Sequence, residues 1–220
     1  MSTAETPGPL REEAPNVKAA AAPTAGWTPA DPGPLGLACF ALTTFVLSMF
    51  NAGLVNEAGE PIVYGLALMY GGIAQILAGM WEFRTGNTFG ALAFTSYGAF
   101  WLSFWAWRQF DRPDVLAAGG VEAVLNSASL FLFAWGIFTL YMLVASLRTN
   151  TVLVIVFTLL TITFFLLAIG DMGGSRDINI HKAGGYFGLA TAAVAWYASM
   201  AGVVNATFGR TVLPLRPLSR

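Results

Sequence analysis

Charge is scarce in this sequence. Asp, Glu, Lys and Arg make up 10% of its 220 residues, against about 25% in ordinary soluble domains. Hydrophobic residues account for 56%, and the mean hydropathy is +0.64. A soluble fold of this size cannot hide so much apolar surface, so the lipid bilayer is the expected surrounding. The basic residues stand singly along the chain. No stripe exists that could track a phosphate backbone, which excludes nucleic acid as an expected partner. The lone cysteine, Cys39, lies inside an apolar run. It excludes an intrachain disulfide and a Cys-rich metal site, and reads as a small buried hydrophobe. The lone histidine, His181, sits in a polar stretch without Cys, His or carboxylate ligands clustered around it by spacing. It makes a poor metal site and reads as a loop histidine at a membrane interface, with a pH-sensitive gate as the alternative. No cofactor is expected.

Residues 1–33 are rich in Ala, Pro, Thr and Glu and have no hydrophobic periodicity, so a disordered N-terminal tail is expected there. No basic segment followed by a short apolar core precedes the first long apolar run. A cleavable signal peptide is therefore not expected, and the first helix itself should direct insertion. Six apolar stretches follow, at about 34–54, 62–81, 89–107, 125–147, 152–170 and 184–204. Each approaches the roughly 20 residues that a hydrocarbon core about 30 Å thick requires. The sequence thus predicts an all-α membrane protein with six transmembrane helices per protomer. A transport domain would span 34–206, followed by a short C-terminal tail at 207–220. The connections 55–61, 82–88, 108–124, 148–151 and 171–183 hold nearly all the remaining charge.

Basic residues flanking the spans set orientation. The side carrying both termini has Arg11, Lys18, Arg84, Arg148, Arg210, Arg216 and Arg220, against Arg108, Arg112, Arg176 and Lys182 on the other. Both termini are expected in the cytoplasm, with the chain in the plasma membrane. Trp27, Tyr64, Trp81, Trp101, Trp105 and Trp107 fall near predicted helix ends, as aromatic belts do.

The six predicted spans contain no Asp, Glu, Lys, Arg or His. Acid–base catalysis needs such groups held within hydrogen-bond reach, so an enzyme is not expected. Glu82 is the nearest carboxylate, with Arg84 as its expected surface partner. What the spans do hold is weakly polar residues at helical spacing. Phe40, Thr44, Ser48 and Asn51 recur on one helical face, which could line a narrow uncharged path. Gly65, Gly72 and Gly79, and likewise Gly184, Gly188, Ala192 and Ala195, read first as helix-packing stripes. In the loop 82–90, Gly86, Asn87 and Thr88 offer turn chemistry and a helix cap. An exposed helix start there could also favour an anion.

The chain resembles the acetate uptake transporter family, whose bacterial members include the succinate-acetate permeases. The family's signature Asn-Pro-Ala-Pro-Leu-Gly-Leu stands here as Asp31-Pro32-Gly33-Pro34-Leu35-Gly36-Leu37. The resemblance continues through Tyr70-Gly71-Gly72-Ile73-Ala74-Gln75, Gly86-Asn87-Thr88-Phe89-Gly90 and Ala93-Phe94-Thr95-Ser96-Tyr97-Gly98. It extends through Trp135-Gly136-Ile137-Phe138-Thr139-Leu140 and Leu167-Ala168-Ile169-Gly170 to Phe208-Gly209-Arg210-Thr211-Val212-Leu213-Pro214. Asp31 and Gly33 depart from the signature, and Asp31 puts a negative charge where an anion would approach.

The resemblance implies a permease or channel for acetate and other short carboxylates such as succinate, assembled as a homohexamer with one pathway per protomer. It also implies a hydrophobic constriction of Phe40, Tyr97 and Leu160. Leu35, Gly36, Leu37, Thr44, Asn51, Gln75, Asn87, Thr88 and Thr95 are the expected substrate-binding residues along the route. Two other readings stay open: a channel for ammonium or another small solute, and a carboxylate-sensing membrane protein that does not transport.

Overall fold

The computed structural model describes residues 27–218. The first 26 residues of the expected tail lie outside them, as do Arg11, Lys18 and Arg220 of the orientation argument. Among the described residues the chain is all-α: α1 (Gly33–Asn51), α2 (Ile62–Leu68), α3 (Gln75–Thr85), α4 (Thr88–Ala106), α5 (Arg112–Ser146), α6 (Thr151–Gly170) and α7 (Ile178–Phe208). A wide π turn, Met69–Ala74, joins α2 to α3, and another, Trp107–Asp111, joins α4 to α5. Among the described residues, five continuous helical stretches are long and apolar enough to cross a membrane, and one of them, Thr88–Ser146, is 59 residues long.

That long stretch corrects the expected loop at 108–124. The polar residues there do not break the helix, and Pro113 follows the π turn Trp107–Asp111 without ending the helix. The break falls instead at Gly120, whose backbone (φ 69°, ψ −167°) only glycine adopts readily. After it the chain runs back along α4. Phe100 stacks on Phe131, and the Tyr97 hydroxyl meets that of Thr139.

Helices α1 and α7, α6 and α7, and α5 and α6 also pack antiparallel, whereas α1 and α6 each run parallel to α4, and small residues set the spacing. A Cβ on Gly184 of α7 would come within 2.8 Å of Leu167 on α6, and one on Gly36 of α1 within 2.6 Å of the Phe94 ring on α4. The Ser199 hydroxyl donates to the Pro34 carbonyl (2.7 Å), locking the end of α7 to the start of α1.

One further boundary differs from expectation. Helix α7 begins six residues before Gly184, because the Asp177 side chain accepts from the N–H groups of Asn179 and Ile180 and caps it there. The short segment after α7 folds back on the helix. The Asn205 side chain accepts from the Val212 and Leu213 N–H groups and donates to the Leu213 carbonyl. The Thr151 N–H then donates to the Arg216 carbonyl (3.1 Å).

Candidate functional site

Two cavities open toward opposite ends of the helices. The first, about 230 Å³, lies among the starts of α1, α4 and α6 and the ends of α3 and α7. The second, about 310 Å³, lies at the other end, among the ends of α1, α4 and α6, the start of α7 and the first half of α5.

Phe40, Tyr97 and Leu160 come together at the first cavity, each less than 7% exposed. They belong to one core cluster with Phe157 and Phe164. The Phe40 and Tyr97 ring centroids are 5.7 Å apart, and those of Tyr97 and Phe157 6.2 Å. Tyr97 is oriented from behind by its hydroxyl contact with Thr139 at 2.9 Å. Because the single Thr139 hydroxyl hydrogen goes to the Trp135 carbonyl, Tyr97 is the donor in that pair.

Gln75 lines the same cavity with no solvent exposure, and neither its amide nitrogen nor its amide oxygen has a partner. Buried amides are nearly always paired, so this one stands out on the cavity wall. It is the first residue after the π turn Met69–Ala74, and such turns re-aim the following helical face.

Asn87 lines the cavity too and does two jobs. Its Oδ1 accepts from the Gly90 N–H (3.0 Å) and caps α4, while its Nδ2 donates to Glu82 (2.9 Å). Gly86 (φ 79°) makes the tight turn that puts Asn87 there. Leu37 completes the group of expected residues found on this wall.

Gly36 is buried beneath Phe94, which itself lines the cavity. Thr44 is 6% exposed with an unpartnered hydroxyl, one turn beyond Phe40 on the way to the second cavity, where Asn51 lies. Leu35, Thr88 and Thr95 line neither cavity. Leu35 faces outward at 45% exposure, Thr88 is exposed, and Thr95 packs against Gly79 of α3.

Two charged residues are corrected. Glu82 is only 2% exposed and faces the first cavity, held by Asn87 and by the Thr85 hydroxyl (3.2 Å). Arg84 is not its partner and donates to the Trp27 carbonyl instead. His181 is not a loop residue. It sits in the first turn of α7, 9% exposed on the second cavity, with Nδ1 3.1 Å from Asp171 Oδ1. Arg176 grips the same carboxylate with two hydrogen bonds of 2.7 and 3.1 Å.

Phe157, Val156 and Leu153 were absent from the expected set. They share the α6 face of Leu160 on the first cavity, and their three-, four- and seven-residue spacing from Leu160 is the signal that finds them.

These features define a membrane protein that is all-helical among the described residues, with a largely apolar cavity carrying a few polar groups at each end and an aromatic core between. Residues 14–220 match the GPR1/FUN34/yaaH family, and the chain belongs to that family. It is 44% identical over 195 residues to acetate permease A of Emericella nidulans, covering 84% of this chain but 65% of that relative's length. It is also 44% identical over 186 residues to the succinate-acetate/proton symporter SatP of Escherichia coli K12, covering 84% of this chain and 95% of that one. Among solved structures, the bacterial acetate channel SatP superposes with a TM-score of 0.74 at 42% identity, covering 85% of this chain and 99% of that one.

Proposed function

We propose that this protein carries acetate and other short carboxylates across the plasma membrane through a pathway in each protomer. The observation that carries the reading is the Gln75 amide, fully buried and without a partner on the wall of the first cavity. A carboxylate stripped of water needs hydrogen-bond donors. Here Gln75 supplies them, with the Asn87 amide at the mouth and the Thr44 hydroxyl beyond the constriction. Phe40, Tyr97 and Leu160 form the narrow apolar step, which gates by dewetting. Gly36 serves this wall by giving Phe94 room, and Leu37 forms part of its apolar lining. The names of the two relatives and of the solved channel support the substrate class.

In this reading the chain crosses the bilayer six times. The stretch Thr88–Ser146 crosses twice, reversing near Gly120, and both termini face the cytoplasm. The first cavity is then the cytoplasmic mouth. The protomers assemble as a homohexamer, as the family resemblance implies. Gly65 has no atom near its Cβ position and offers a place for a neighbouring helix to approach closely.

Purified protein in proteoliposomes tests the reading. Radiolabelled acetate should cross and methylammonium should not. Methylammonium flux in place of acetate would establish the ammonium reading, and acetate binding without flux the sensor.

A further inference from the structure

We infer that Arg112 is an anion-binding residue, and that it makes the second cavity a separate carboxylate site at the far mouth of the path. The inference rests on the carboxylate-transport reading above.

Three guanidinium groups line this cavity, from Arg108, Arg112 and Arg176. Two are fully engaged. Arg108 pairs with Glu60, donates to the Tyr64 hydroxyl (3.0 Å) and lies over the Tyr64, Phe104 and Trp107 rings. Arg176 is bound through two nitrogens to Asp171, which His181 also approaches.

Arg112 is different. Its Nε is shielded from solvent and has no hydrogen-bond partner, and no ion pair among the described residues includes it. The acidic residues on this cavity are Glu57, Glu60 and Asp171, and none of them pairs with Arg112. Asp111 and Asp114, its neighbours in sequence, are exposed and likewise unpaired with it.

A buried donor left unmatched costs stability unless a ligand matches it. Nε and one terminal nitrogen of a guanidinium form a fork that fits the two oxygens of a carboxylate. A carboxylate in the cavity therefore completes what the protein leaves open at Arg112. The π turn Trp107–Asp111 immediately before Arg112 has a parallel at the other end, where a π turn precedes Gln75. At both ends the wider turn precedes a side chain with unpartnered nitrogen on a cavity wall.

The two mouths also differ in charge. The charged groups lining the first cavity are Asp31 and Glu82 alone, both acidic. The second balances three guanidinium groups with three carboxylates, leaving Arg112 and Glu57 without ion-pair partners, so an anion there meets a cationic donor that the first mouth lacks.

The test is acetate flux against concentration in proteoliposomes for wild type, Arg112→Gln and Arg112→Lys. Losing the charged fork should raise KM about 10-fold or more in Arg112→Gln, with the larger part of the effect in KM rather than kcat. Arg112→Lys, which keeps the charge without the fork, should recover part of the loss. Raising ionic strength should weaken wild type more than Arg112→Gln. If Arg112→Gln is too unstable to reconstitute, the Arg112→Lys KM and the salt dependence of wild type decide. A KM within twofold of wild type in a folded variant, or equal salt dependence in both proteins, overturns the inference while leaving the transport reading in place. Absence of acetate flux in wild type overturns the transport reading itself.

Discussion

Tyr97 on α4 donates a 2.9 Å hydrogen bond to Thr139 on α5, the two helices that run antiparallel after the break at Gly120. This bond does two things at once. It ties the two arms of the long helical stretch together, and it fixes one ring of the apolar constriction from behind. Tyr97→Phe keeps the ring but removes the donor, so a loss of about 1 kcal/mol in stability is expected. Melting of the purified variant measures it. Discrimination between acetate and larger carboxylates should change little, since the ring stays at the cavity wall.

Asn87 separates capping from substrate contact. Its amide has two N–H groups, of which one goes to Glu82. Asn87→Ala should lower stability by about 0.5–2 kcal/mol through loss of the cap. It should also weaken acetate binding by about 10-fold to 150-fold through loss of the remaining donor. Asn87→Ser keeps a capping oxygen without the amide, so it should restore stability but not affinity. Intact affinity in both variants would make Asn87 a cap and nothing more.

In the proposed pathway the constriction of Phe40, Tyr97 and Leu160 sets size. Phe40→Ala or Leu160→Ala should widen the step and raise the flux of succinate and lactate relative to acetate. Truncating a packed core residue costs about 2–5 kcal/mol, so each variant is first checked for an unchanged gel-filtration profile. A folded variant that transports acetate normally with unchanged discrimination removes that residue from the gate.

Orientation is testable because Cys39 is fully buried and leaves no reactive background. Cysteines placed at Ser2 and Ser219 should resist an impermeant reagent in intact cells and react after permeabilisation. Ready labelling of both in intact cells reverses the orientation.

Much of the helical framework was legible in the sequence, because apolar runs of near-membrane length declare themselves. The Gly86–Asn87 turn was legible too, since its backbone and capping requirements name their residues. The polar ends of helices were not. Asp177 caps α7 seven residues before its apolar run begins, so His181 looked like a loop residue. Arg108 and Arg112 sit in helical backbone that hydropathy alone assigns to a connection. Rotational phase was the other gap. Leu35 and Leu37 are two residues apart in one motif, and α1 turns the first outward and the second to the cavity. Thr95 and Tyr97 part in the same way on α4, one toward Gly79 and one toward Thr139.

The account turns on a path through each protomer, with the substrate held at the Gln75 wall. The structure of the assembled protein determined with acetate present tests this most directly. Acetate is expected inside the first cavity of every protomer, with an oxygen within hydrogen-bond reach of the Gln75 amide nitrogen. Acetate found only in a passage between protomers, with the Gln75 cavity empty, would contradict it.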